Sequence, residues 1–160
     1  DPGDRVTFLL AANPGMAPAP IQRAASGGEL SRVLLALRLV LSGGPDTMVF
    51  DEVDAGIGGA TALEVGSALS EVAETSQVLV VTHLAQVAAH ADQQVRIAKS
   101  ADEDATTTTV ESVGGEARVV ELSRMLSGTP DSAAARSNAK DLLERVPRRA
   151  PDPSTAGPTR

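Results

Sequence analysis

Asp51 and Glu52 close an apolar run, Met48-Val49-Phe50, and Thr82-His83 close a second, Val78 to Val81. Upstream, Ser26-Gly27-Gly28-Glu29 opens a leucine-rich stretch. Adjacent side chains of an extended segment point in different directions. One carboxylate of such a pair can therefore hold Mg²⁺ through its waters while the next orients an attacking water, the division of labour that NTP hydrolysis requires. Asp51 takes the metal role and Glu52 that of general base. His83, at the end of the neighbouring run, is placed to reach a γ-phosphate, and Asp54 follows the acidic pair closely enough to lie at the rim of the same site. Ser26-Gly27-Gly28-Glu29 reads in two ways. S-x-x-E ahead of an apolar helix is a capping box. The two glycines also bare backbone N–H groups at a helix end that favours anions, which makes Ser26, Gly27, Gly28 and Glu29 a phosphate-binding corner.

The companion motif of such chemistry, G-x-x-x-x-G-K-[ST], does not occur; the two lysines, Lys99 and Lys140, each follow an alanine. The residues describe half of a site. Composition narrows the rest. The chain has 160 residues, 42% of them apolar, with two Phe and no Tyr or Trp. Such a core is aliphatic, as in buried parallel strands covered by helices, and stacking platforms for single-stranded nucleic acid are missing. A net charge of -7 opposes non-specific polyanion binding. With no cysteine, disulfides and thiolate metal sites are excluded. No apolar run reaches membrane-spanning length and no signal peptide opens the sequence, so the expectation is a cytoplasmic protein.

The elements that must position these residues follow from periodicity and turn chemistry. Residues 6–12 read as a strand, 26–41 as a helix with Leu30, Leu34, Leu37 and Leu41 as its buried stripe, and 47–51 as a short strand buried on both faces. A helix over 60–74, with Leu63, Val65, Leu69 and Val72 inward, precedes a strand over 77–82. A short helix over 84–90 follows, in which His90 reads as solvated. Strands over 94–99 and 106–113 form a hairpin around the acidic turn 101–104. Helices over 116–126 and 130–145 close the domain, the second starting at Thr129-Pro130. Residues 147–160, with four prolines and three arginines, read as a disordered tail. Strand–helix alternation through residue 83 is the α/β signature. Arg32, Arg38, Arg118 and Arg124 remain unassigned among phosphate contact, DNA contact and solvation.

Ser26-Gly27-Gly28-Glu29 resembles the ABC-ATPase signature, Val49-Phe50-Asp51-Glu52 Walker B, Val53-Asp54-Ala55-Gly56 a D-loop, and His83 the switch histidine. Val53-Asp54 after the catalytic Glu is similar to SMC-type ATPases rather than to transporters. Ala12-Asn13-Pro14-Gly15, the stretches 25–32 and 50–59, Thr82-His83-Leu84-Ala85-Gln86-Val87-Ala88 and 121–128 resemble the RecN family of bacterial DNA-repair ATPases, over about residues 8 to 146. Ala25 departs from the usual Leu at a packing position. The resemblance implies a P-loop NTPase-like ABC/SMC ATPase head, with residues 1–146 as its C-terminal lobe and a largely parallel sheet flanked by helices. It further implies ATP and Mg²⁺ as cofactors, an N-terminal Walker A lobe of the same protein as partner, and inactivity of the isolated chain. A homodimer of heads is implied, each signature capping the other's nucleotide with Asp54 at the interface. DNA would be held by the full-length, nucleoid-associated protein in double-strand-break repair and recombination. A transporter nucleotide-binding domain and a non-catalytic dimerisation lobe are the competing readings.

Overall fold

Ser26 and Glu29 set where the longest early helix begins. The Ser26 hydroxyl accepts from the Glu29 amide at 3.3 Å, and the Glu29 carboxylate accepts from the Ser26 amide at 2.7 Å. Both halves of the capping box thus start the helix Gly27–Val40. The structure, a computed structural model, describes residues 3, 6–11, 14–41, 44–102, 105–129 and 132–147. The expected tail beyond residue 147 lies outside these.

In chain order the elements are β1 (Leu9–Leu10), β2 (Ala19–Pro20), α1 (Ile21–Ala24), α2 (Gly27–Val40), β3 (Thr47–Phe50) and α3 (Gly59–Val72). There follow β4 (Gln77–Val80), α4 (Ala85–Ala88), β5 (Gln94–Asp102), β6 (Ala105–Val113), α5 (Gly115–Ser127) and α6 (Ala133–Arg145). Strands pair two by two: β1 with β2 antiparallel, β3 with β4 parallel, β5 with β6 antiparallel. The parallel pair, joined through α3, is the α/β unit that carries the acidic and histidine segments. Its register sets Phe50 opposite Val80, so both strands end at the same edge.

Two apolar clusters hold the fold. The first joins α2, β3 and α3 around Phe50, Leu35, Val65 and Leu69, with Val87 of α4. The second packs Ala85, Ala88 and Ala89 of α4 and its C-terminal end against Leu122 of α5 and Ala139 and Leu143 of α6. Helix α4, one turn long, therefore offers one side to each cluster. Arg118 anchors it by donating to the carbonyls of Ala88, Ala89 and Ala91 at 2.7 to 3.1 Å.

Several expectations need correction. The strand expected over 6–12 is paired only at Leu9–Leu10. The stripe of α2 is not Leu30, Leu34, Leu37 and Leu41: Leu30, Leu34 and Leu41 are exposed, and Leu35 is the leucine buried against α3. Strand β3 is buried on one face only. Met48 and Phe50 are covered, while Val49 is 64% exposed beside Leu79 and Val81, at 51% and 61%. Leu63 of α3, expected inward, is exposed, and Ala62 beside it is the buried residue. The last helix starts at Ala133, capped by Ser132, whose hydroxyl accepts from the Ala135 amide at 3.3 Å. Ser132 displaces Thr129 from that role because it is itself a hydroxyl cap nearer the first apolar turn; Pro130 lies outside the described residues. The hairpin over 94–113 forms as expected, with Asp102 paired to Ala105; Glu103 and Asp104 of its turn lie outside the described residues.

Candidate functional site: the shared edge of β3 and β4

The strand pair ends at one edge because the Val81 amide still bonds the Phe50 carbonyl, at 3.0 Å. Past that bond the two segments leave the ladder as loops, 51–58 and 81–84. Asp51 and Glu52 are exposed on the first, and the His83 side chain is 74% exposed on the second. Beyond the last ladder bond the backbone no longer pairs, so polar side chains can gather there without burial cost.

Helix α2 is fastened to the first loop. The Ser31 hydroxyl donates to the Asp51 carbonyl at 2.8 Å, and the Arg32 guanidinium donates to the carbonyls of Val53 and Ala55 at 3.1 and 2.9 Å. This brings the Gly-Gly corner onto the acidic loop. Gly28 is buried, and a Cβ there would lie 2.8 Å from both the Ala55 Cβ and the Glu52 carbonyl oxygen. Gly27 stays exposed, with the Glu52 carboxylate 2.5 Å from where its Cβ would stand. The corner is therefore open at Ser26 and Gly27 and closed at Gly28. Glu52 itself adopts φ 57°, a left-handed conformation that non-glycine residues seldom hold. Such a backbone persists only when its surroundings impose it. Here the Ala55 amide, bonded to the Glu52 carbonyl at 2.9 Å, and the Arg32 grip on the following carbonyls do so.

Asp54 departs from its expected place. It is 2% exposed and does not line an open rim. One oxygen, Oδ2, accepts from the Thr82 hydroxyl and from the His83 amide at 3.0 Å, and it stands 3.1 Å from His83 Nδ1. Burial pushes its carboxyl up, but these bonds from Thr82 and His83 outweigh it and leave Asp54 below the usual carboxylate range. The Glu29 carboxyl is also held low, first by the Ser26 amide and then by its hydroxyl.

The remaining candidates resolve into structural roles. Arg32 and Arg118 serve backbone carbonyls, Arg38 donates to Ser76 Oγ at 3.2 Å, and Arg124 forms a two-bond pair with Glu121. His90 is not solvated: its ring packs on Gly66 of α3, and Nδ1 meets the Gln86 carbonyl at 2.9 Å. Sequence reasoning passed over Ser31 and Thr82 and left Arg32 unassigned; only the hydroxyl and guanidinium types beside the motifs hint at their use.

A divalent cation that sits on phosphates needs one or two protein carboxylates and keeps its waters. Asp51, exposed at the strand end, meets that need. Among the described residues no group of three or more His, Asp or Glu could cage a metal unaided. Ser26 and Gly27, exposed at the start of a 14-residue helix, are likewise suited to an anion arriving from outside.

No family model matches the chain. Relatives do. The DNA repair protein RecN of Streptomyces coelicolor is 52% identical over 143 residues, covering 88% of this chain and 25% of that protein. RecN of Deinococcus radiodurans is 49% identical over 138 residues, covering 86% of this chain and 24% of that protein. These residues are a RecN-family segment. RecN of Vibrio cholerae matches at 44% over 142 residues, covering 88% of this chain and 26% of that protein. The chain spans about a quarter of the length of the curated RecN relatives it matches. A solved chain from work on ATP-driven dimerisation and DNA-stimulated activation of SMC ATPases superposes with a TM-score of 0.48. It shares 24% identity and covers 74% of this chain and 80% of that one. That overlap is too loose to build on. No helix among the described residues is long and apolar enough to cross a membrane.

Proposed function

We propose that this RecN segment is the C-terminal lobe of an ATPase head and contributes half of a hydrolytic site. The observation that carries the proposal is the shared edge of β3 and β4, where Asp51, Glu52 and His83 stand on adjacent loops. Asp51 would hold Mg²⁺ through water, Glu52 would take the proton of the attacking water, and His83 would meet the γ-phosphate oxygens. The metal, when bound, supplies neutralisation of phosphate charge. A positioned base contributes about 10²–10⁴-fold. Ser26 and Gly27, exposed, with Gly28 and Glu29 behind them, would receive the phosphates of a nucleotide held by a second head.

The chain needs a companion for two physical reasons. It has no phosphate-cradling lysine loop in its sequence. The one parallel strand pair among the described residues is bare on the face of Val49, Leu79 and Val81, whereas parallel sheets are ordinarily covered on both faces. The N-terminal Walker A lobe of the same protein is the segment proposed to supply both. Two such heads would then engage on ATP, coupled to DNA held by the full-length protein during double-strand-break repair and recombination, in the cytoplasm on the nucleoid. Alone, the chain would be inactive. Mixing it with a Walker A-bearing RecN segment and measuring ATP turnover tests this. Turnover that appears only in the mixture is expected; none in the mixture, with both parts folded, would reject it.

A further inference from the structure

A carboxylate that is 2% exposed and spends one oxygen on two adjacent residues of another loop is an arrangement with a purpose beyond charge pairing. Asp54 reaches across from the loop after β3 to the loop after β4. There Oδ2 accepts from the Thr82 hydroxyl and the His83 amide and lies 3.1 Å from the His83 ring nitrogen Nδ1. Thr82 is locked in turn, since its Oγ1 accepts from the Leu84 amide at 3.1 Å. The backbone on either side of Asp54 is gripped as well, through Arg32 and the carbonyls of Val53 and Ala55. The carboxylate is thus fixed at its base and at its tip, while the imidazole it touches remains 74% exposed. An exposed imidazole without such a partner would rotate freely about its side-chain bonds.

We propose that Asp54 is the positioning residue for His83. It holds the proton on Nδ1 and leaves Nε2 as the edge free for an incoming phosphate. What faces one ring nitrogen decides the state of the other. A carboxylate oxygen 3.1 Å away attracts an N–H and repels a bare nitrogen lone pair, so the proton belongs on Nδ1. Asp54 in this role touches neither nucleotide nor metal. Its relevance to hydrolysis rests on the reading of His83 given above, but its action on the imidazole does not.

The test has two arms. In ¹⁵N-labelled protein above neutral pH, long-range ¹H–¹⁵N spectra report which ring nitrogen of each histidine carries the proton. His83 is expected to be Nδ1-protonated in the wild type and to become a tautomer mixture in Asp54→Asn and Asp54→Ala. His90, whose Nδ1 faces the Gln86 carbonyl, serves as the internal control and should not change. A wild-type His83 protonated on Nε2, or a tautomer unmoved by either folded variant, overturns the proposal. Should both variants unfold, Thr82→Val and the wild-type spectrum decide it: the Nδ1–H signal must persist when the hydroxyl alone is removed. In the second arm, Asp54→Asn in the complemented ATPase should lower kcat with little change in KM for ATP. The fall should be roughly 10²-fold, the cost of displacing a group by about 1 Å. A KM effect with kcat intact overturns the positioning role. Absence of any wild-type turnover rejects the hydrolytic reading alone, because the tautomer measurement stands without it.

Discussion

Gly28→Ala and Gly27→Ala, one residue apart, should behave oppositely if helix α2 is docked on the acidic loop as described. At position 28 the new methyl meets two atoms at 2.8 Å, the Ala55 Cβ and the Glu52 carbonyl oxygen, and Arg32 Nη1 at 3.1 Å. Two of these belong to a loop whose backbone is pinned, so the methyl cannot be accommodated by turning a flexible tip aside. Overpacking of this kind costs about 1–3 kcal/mol, against a gain of roughly 0.5–1 kcal/mol from replacing a helical glycine. The repulsion wins, and a net loss of about 1–2 kcal/mol is expected. At position 27 the only close atoms belong to the Glu52 carboxylate, at 2.5 and 3.7 Å. That carboxylate is the end of an exposed side chain and can rotate away, so stability should stay within about ±0.5 kcal/mol. Urea unfolding of the two variants beside the wild type reads the difference. For m-values of about 1–3 kcal/mol/M, Gly28→Ala should lower the midpoint by roughly 0.3–2 M while Gly27→Ala barely moves it. Equal midpoints, or a stabilised Gly28→Ala, would refute the docking of α2 on residues 52–55.

Arg32→Met keeps the aliphatic stem but removes the donors to the Val53 and Ala55 carbonyls. A loss of about 1–3 kcal/mol is expected, with faster hydrogen exchange at the Ala55 amide; unchanged protection there would contradict the grip on the loop. Asp54 gives a pH signature. Its folded-state pKa lies below the unfolded value of about 3.9. Its contribution is therefore fully present above that value and is lost as pH falls through the lower folded one. The stability gap between wild type and Asp54→Asn should narrow as pH falls below about 3.9, and a gap unchanged through that range would contradict the buried, hydrogen-bonded carboxylate.

Much of the site was legible because its motifs are local. Ser26 through Glu29 dictates a capping box from four consecutive residues, and two apolar runs ending in Asp-Glu and Thr-His dictate paired strands with polar ends. What escaped depended on contacts distant in sequence. Helix α2 carries Leu30, Leu34, Leu35, Leu37 and Leu39 with Val33 and Val40, so it is apolar on several sides and periodicity alone could not choose Leu35 as the buried one. Asp54 sits three residues from Asp51, close enough in sequence to read as part of an open rim. Only the arrival of Thr82 and His83 from 28 and 29 residues away makes its burial tolerable. His90 was misread for a similar reason: the room for its ring is made by the missing side chain at Gly66. The bare face of Val49, Leu79 and Val81 was hidden because β3 is apolar on both sides, as a strand covered on both faces would be.

Glu52→Gln, made in a head reconstituted with a Walker A-bearing segment, probes the chemistry assigned to the β3–β4 edge most directly. The amide keeps the size of the side chain and removes its capacity to take a proton. ATP binding should be retained while turnover falls roughly 10²–10⁴-fold. Turnover equal to the wild type, with ATP bound as before, would contradict the assignment of Glu52 as the base.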